Sequence, residues 1–142
     1  MRTNAALAVD DDATILRLIA ALLRRAGFDP VHTARDGQEC LDLLAANTYC
    51  VVILDLRMPR VSGYDVIARL AADPLPQMPT IVVATADRSA AGNNLDPSVV
   101  TAVLTKPFRH GDVAHRGTNL PRNHLARSGL VATSVRYRTF AS

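Results

Sequence analysis

Two hydrophobic rhythms alternate along this chain. Compact runs of apolar or β-branched residues occupy positions 5–9, 51–54, 80–84 and 100–105, and between them apolar residues recur every three or four positions. An unbroken apolar run of this length fits a strand covered on both faces, the environment of a parallel sheet. The first helical stretch covers residues 13–26, where Ile15, Leu18, Ile19, Leu22 and Leu23 recur at helical spacing. Asp12 can cap its start, and Gly27 can close it in a left-handed turn. Residues 28–33 read as a short second strand. Asp36-Gly37 leads into a helix carrying Cys40, Leu41, Leu43 and Leu44, and Ser62-Gly63 opens a third through Tyr64, Val66, Ile67 and Leu70. The run Asp73-Pro74-Leu75-Pro76-Gln77-Met78-Pro79 ends that helix before the next strand. Strands and helices alternating in this way predict right-handed crossovers and an α/β fold with a doubly wound, five-stranded parallel sheet.

The pattern weakens after residue 85. Residues 87–97 include Gly92-Asn93-Asn94 and Asp96-Pro97, which favour a short or irregular fourth helix. Beyond Pro107 no helical period is sustained: Gly111, Gly117, Pro121 and Gly129 interrupt the stretch, and Val131, Thr133, Val135 and Tyr137 alternate in a weak strand pattern. An edge strand, a segment ordered by a partner and disorder are all consistent with that stretch. The expected organisation is one α/β domain over residues 1–108 followed by an atypical basic segment over 109–142.

Charge divides at the same place. Residues 1–106 hold 10 Lys and Arg against 12 Asp and Glu, net −2; residues 107–142 hold 6 Arg and one Asp, net +5, together the +3 of the whole chain. The basic stretch has no DNA-reading motif, and only Phe108, Tyr137 and Phe140 could stack on bases, so a solvated tail is expected over a nucleic-acid arm. His110, His115 and His124 lack the spacing and carboxylate companions of a metal site. A chain of 142 residues, 49% hydrophobic, suits one domain with a substantial core. No apolar stretch approaches the roughly 20 residues that span a bilayer, and Met1-Arg2 leads to acids rather than to a signal-peptide core, so a cytoplasmic protein is expected. Cys40 and Cys50, without paired metal spacing, are expected as buried free thiols.

The candidate chemistry lies at the ends of the apolar runs. Asp55 closes residues 51–54 and opens Asp55-Leu56-Arg57-Met58-Pro59-Arg60-Val61-Ser62-Gly63, so a buried strand delivers a lone carboxylate to a loop. In open α/β sheets ligands gather beyond the carboxyl ends of the strands. Asp10-Asp11-Asp12 follows a second run, and two strand ends could bring these acids together. Ionised carboxylates about 4 Å apart repel by roughly 4 kcal/mol at an effective dielectric of ~20, which favours a bound cation. Mg2+, a hard ion suited to a few carboxylates plus water and phosphate, fits. Taken alone, the triplet reads equally well as an N-cap at Asp12 with solvated loop acids beside it. Thr85 and Lys106 end the remaining two runs; singly they are a turn residue and a surface cation. Together, an acceptor carboxylate, a metal site, a hydroxyl and a fixed ammonium are the parts needed to receive a phosphoryl group.

In this order, residues 4–108 resemble the receiver domain of bacterial two-component response regulators. Asp10 and Asp11 match the family's acidic pair, Asp55 its phosphorylated aspartate, Met58-Pro59 with Gly63 the following loop, Thr85 its switch hydroxyl and Lys106-Pro107 its lysine and proline. The spacings agree, with 44 residues from Asp11 to Asp55 and 30 from there to Thr85. The resemblance implies a flavodoxin-like sheet of order 2-1-3-4-5, here with the last helix atypical or missing. It also implies that Asp11, Asp55 and the main-chain carbonyl of Arg57 bind Mg2+, with Asp10 acting mostly through a bound water. Asp55 would then take a phosphoryl group from a phosphohistidine on a sensor histidine kinase or histidine phosphotransfer protein, or from a small donor such as acetyl phosphate. Lys106 would neutralise the phosphoryl oxygens, and Thr85 would hydrogen-bond one of them afterwards. Arg57 and Asp87, two residues past Asp55 and Thr85, would flank the path of the hydrolytic water. Receivers commonly place Tyr or Phe three residues before the lysine, where this chain has Val103. An aromatic switch cannot operate there, and coupling would run through Thr85 and loop movement.

Three classes of function follow. The leading one is a phosphorylation-controlled switch without a recognisable output domain, which assists its own phosphotransfer and autodephosphorylation but turns over no external substrate. The second is a pseudo-receiver, a phosphorylation-independent interaction module. The third is a hydrolase of the haloacid-dehalogenase type, opposed by Arg57 at the place of that family's second aspartate. A homodimer is open, because a missing last helix would leave apolar surface to cover. Neither nucleic acid nor membrane is an expected partner.

Overall fold

The structure, a computed structural model, describes residues 3–86 and 95–105. Helix α1 (Ala13–Arg25) begins where the Asp12 carboxylate accepts hydrogen bonds from the N–H groups of Thr14 and Ile15 at 2.9 and 3.2 Å. It is followed by Gly27 at φ +97°, the predicted left-handed turn. Helix α2 (Gly37–Ala46) is capped by Asp36. Helix α3 (Gly63–Ala72) opens with a reciprocal capping box: the Ser62 hydroxyl accepts from the Asp65 N–H and the Asp65 carboxylate accepts from the Ser62 N–H. Each helix thus starts at the short polar residue that the sequence offers for it.

Five strands, β1 (Ala6–Val9), β2 (Val31–Ala34), β3 (Val51–Asp55), β4 (Thr80–Thr85) and β5 (Val100–Thr105), form one parallel sheet in the order β2-β1-β3-β4-β5. Successive strand residues face opposite sides, so each apolar run feeds two cores. One side gathers Leu7, Val9, Val52, Leu54, Ile81 and Val83 with Cys40 and Leu44 of α2 and Val66, Ile67 and Leu70 of α3. The other gathers Ala6, Ala8, Ile53, Ala84 and Ala102 with Leu16, Ile19 and Leu23 of α1 and with Phe28. Helices on both faces make the sheet doubly wound. On the α1 side the sheet alternates small and large residues, Ala6, Ala8, Ala84 and Ala102 beside Val51, Ile53, Val82 and Leu104, against which the helix and Phe28 pack.

Two local features differ from the periodicity. The second strand starts at Val31 rather than at Phe28: Pro30 has no N–H to give to a ladder, and Phe28 turns inward as a buried core residue. The β4–β5 register slips by one, since Ile81 pairs with Val100 but Val82 with Ala102, leaving Thr101 as the extra residue. Ahead of β5, Asp96-Pro97 makes a turn, with the Asp96 carboxylate accepting from the Ser98 N–H at 2.8 Å and its carbonyl accepting from the Val100 N–H at 2.9 Å. Val103 is buried among apolar residues. Both cysteines are free, Cys40 buried and Cys50 partly so. Among the described residues no helix is long and apolar enough to cross a membrane. Of the short or irregular helix expected over 87–97, residues 87–94, Asp87 among them, lie outside the described residues, as do Lys106, Pro107, the atypical last helix and the segment 109–142.

Candidate functional site

Register assembles the site. Val9 pairs with Leu54 across β1 and β3, so the next residue on each strand, Asp10 and Asp55, arrives at the same sheet edge. Asp55 pairs with Ala84, which puts Thr85 one step further along β4, and Thr85 in turn pairs with Thr105, the residue before Lys106. Lys106 itself lies outside the described residues, so its side chain is not placed.

Asp10, Asp11 and Asp55 each offer a carboxylate oxygen, and these oxygens lie within 4.8 Å of one another. Asp10 and Asp55 are 1% and 6% exposed while Asp11 is open to solvent, so the cluster has a buried floor and an accessible side. Thr85, 1% exposed, is buried at the adjacent strand end. Charges of one sign at this separation and depth repel strongly unless a cation or proton compensates them. The donors are all hard carboxylate oxygens, with no thiolate or imidazole, and that set fits Mg2+ rather than a softer metal. The two readings of the acidic triplet are both realised, by different residues. Asp10 and Asp11 join the cluster, whereas Asp12 caps α1 and donates its own N–H to Asp10 Oδ1 at 2.9 Å.

The loop from Leu56 to Ser62 is fastened at both ends. At its far end the Gly63 N–H donates to the Leu56 carbonyl at 2.9 Å, and a Cβ on Gly63 would run into the Asp55 carbonyl oxygen and stand 2.8 Å from Leu56 Cα. Only glycine lets α3 begin this close to the strand end that carries Asp55. On the other side the Gly37 N–H, at the start of α2, donates to the Val61 carbonyl at 2.8 Å. Beside it the Arg60 guanidinium lies 3.0 Å from Asp36 Oδ2. Arg57 is exposed in this fastened loop. Asp36 and Arg60 carry no sequence signal for such a pairing: they are 24 positions apart and of ordinary surface types.

Comparison with known proteins gives one family. The response regulator receiver domain matches residues 6–116. The probable transcriptional regulator ycf27 of Porphyridium aerugineum is 28% identical over 148 residues, 95% of this chain and 60% of that protein. The transcriptional regulatory protein SrrA of Staphylococcus aureus is 38% identical over 68 residues, 48% of this chain and 28% of that protein. The matches thus span 60% or less of these relatives' length. Among solved structures, the response regulator protein TrrA of Thermotoga maritima in complex with Mg(2+)-BeF aligns at TM-score 0.65 and 29% identity over 76% of this chain and 90% of that one. A CheY-like receiver domain protein of Methanospirillum hungatei aligns at TM-score 0.64 and 32% identity, over 76% and 86%.

Proposed function

This chain belongs to the response regulator receiver domain family, and on that premise we propose that it is a phosphoacceptor switch whose acceptor is Asp55. The observation that carries the reading is the convergence of the Asp10, Asp11 and Asp55 carboxylates at one strand edge beside Thr85. The donor is a phosphohistidine on a sensor histidine kinase or phosphotransfer protein, in the cytoplasm. An Asp55 oxygen attacks phosphorus in line with the breaking N–P bond, and the imidazole nitrogen leaves with the electron pair. Asp11, Asp55 and the Arg57 main-chain carbonyl would hold Mg2+, with Asp10 acting through water, and the ion would supply neutralisation of the phosphoryl charge. Lys106 pairs with a second phosphoryl oxygen, and the Thr85 hydroxyl donates a hydrogen bond to a third. The low exposure of Asp55 limits the water that can reach its acyl phosphate. The chain assists this transfer and then the hydrolysis of its own acyl phosphate, which releases inorganic phosphate and restores Asp55, and it has no external substrate. On this reading residues 1–108 are the receiver and 109–142 an atypical basic segment in place of its last helix, with the family match itself reaching residue 116. The TrrA structure, solved with Mg(2+)-BeF, supports the choice of metal.

The test is Mg2+-dependent phosphorylation by acetyl phosphate, read by intact mass on wild type and Asp55→Asn. One phosphate gained by the wild type alone is expected, and chelation of Mg2+ abolishes it. No gain in folded wild type would transfer the function to the second reading, a phosphorylation-independent interaction module. Val103, an aliphatic residue where receivers commonly use an aromatic switch, is the observation that favours that alternative.

A further inference from the structure

The loop that presents the Arg57 carbonyl is held by a part of the molecule that the chemistry does not touch. Asp36 divides its two oxygens: Oδ1 accepts from the Glu39 N–H at 2.8 Å and so caps α2, while Oδ2 takes the Arg60 guanidinium at 3.0 Å. Arg60 reaches it from φ +68°, a left-handed conformation that a residue with a Cβ seldom adopts. The pair is lopsided in solvent, 15% exposed at Asp36 and 80% at Arg60. Next to it the backbone of Val61 lies so close to α2 that a Cβ on Gly37 would collide with the Val61 carbonyl. Arg57 is therefore bracketed, by the Leu56–Gly63 hydrogen bond on one side and by the α2 contacts of Arg60 and Val61 on the other.

We propose that Asp36 and Arg60 are positioning residues, a latch between α2 and the loop after Asp55 that orders the loop before the ion arrives and thereby sets the Mg2+ affinity of the site. The inference rests on the reading of that site as Mg2+-dependent. Its physical content is preorganisation: a ligand-bearing loop already ordered loses less freedom when the metal binds. The sign of the effect separates the latch from simple electrostatics. Deleting a cation near a site for a divalent cation tightens binding if charge alone matters; releasing the loop weakens it.

The experiment is a calorimetric Mg2+ titration of wild type, Arg60→Ala, Arg60→Gly, Asp36→Asn and the Arg60→Ala/Asp36→Asn double variant, with the urea midpoint of each measured without metal. Asp36→Asn keeps an oxygen for the α2 cap, and Arg60→Gly accepts φ +68° without strain. Each single variant is expected to bind Mg2+ about two- to fivefold more weakly, the range of an exposed ion pair, and the double variant no more weakly than the worse single one. Unchanged or tighter binding by Arg60→Ala and Arg60→Gly, whatever happens to the urea midpoint, would overturn the latch while leaving the site intact. A wild type that binds no Mg2+ would overturn the reading of the site and the latch with it.

Discussion

Cys40, on the buried face of α2, has no exposed surface, and burial, helped by the nearby Asp36 carboxylate, pushes its thiol up to about 12. An ordinary thiol ionises near pH ~8.5. Above that pH the unfolded chain gives up a proton that the folded chain keeps, so the unfolded state binds fewer protons and stability falls as pH rises. The contribution is complete below about pH 8.5 and is lost progressively up to about 12, by as much as about 1.4 kcal/mol per unit. Urea unfolding at pH 8 and pH 10 is therefore expected to cost the wild type about 1–2 kcal/mol more than it costs Cys40→Ala. Equal losses in the two proteins would show that the buried thiol ionises within the fold. Cys50, whose thiol donates to the Ala5 carbonyl at 3.0 Å, is also raised by burial, which is why the comparison is made at Cys40 alone. Residue types marked Asp10, Asp11, Asp55 and Thr85 as candidates; which of the three acids at 10–12 caps a helix and which join the cluster depended on where α1 begins.

At the scale of elements, α1 shows what periodicity carries and what it does not. Leu18 and Leu23 belong to the same helical pattern, yet Leu23 is fully buried in the core between α1 and the sheet and Leu18 is 42% exposed. Spacing identifies the helix and its apolar stripe, but depth along the stripe depends on which strand lies beneath. Leu23→Ala should cost about 2–5 kcal/mol of unfolding free energy, whereas Leu18→Ala should stay within about 0.5 kcal/mol, both measured by urea denaturation. A comparable loss at Leu18 would mean that this flank is covered by another part of the chain or by a second copy. The Asp12 cap of α1 and the starts of α2 and α3 after Asp36 and Ser62 were legible because an N-cap needs only a short polar side chain two or three residues ahead of the amides it serves. The start of β2 was not, because Phe28 has strand-forming chemistry and is claimed by the core instead.

For the whole molecule, the carboxylate cluster sets stability against function. The mutual repulsion of three acids within 4.8 Å works against folding, and a cation bound among them would offset it. The wild type should gain thermal stability with Mg2+, by about 2.7 kcal/mol at a hundred times the dissociation constant. Asp55→Asn should melt above the wild type in chelator and gain little from Mg2+. A wild-type melting temperature indifferent to Mg2+, or an Asp55→Asn variant that is less stable in chelator, would remove the cluster as a metal site.

The sequence by itself determined the α/β class, the succession of strands and helices and the Asp12 cap, and it marked the strand-end residues as the candidate site. These depend on residue type at short spacing, where backbone geometry leaves few choices. The sheet order 2-1-3-4-5 came with the family resemblance, since periodicity does not say which strands are neighbours. Only the tertiary structure decided the Val9–Leu54 register that brings Asp10 to Asp55, the close approach of Gly63 to the Asp55 carbonyl, and the Asp36–Arg60 contact. Each joins residues that the packing of the whole core brings together, and no local pattern encodes that packing.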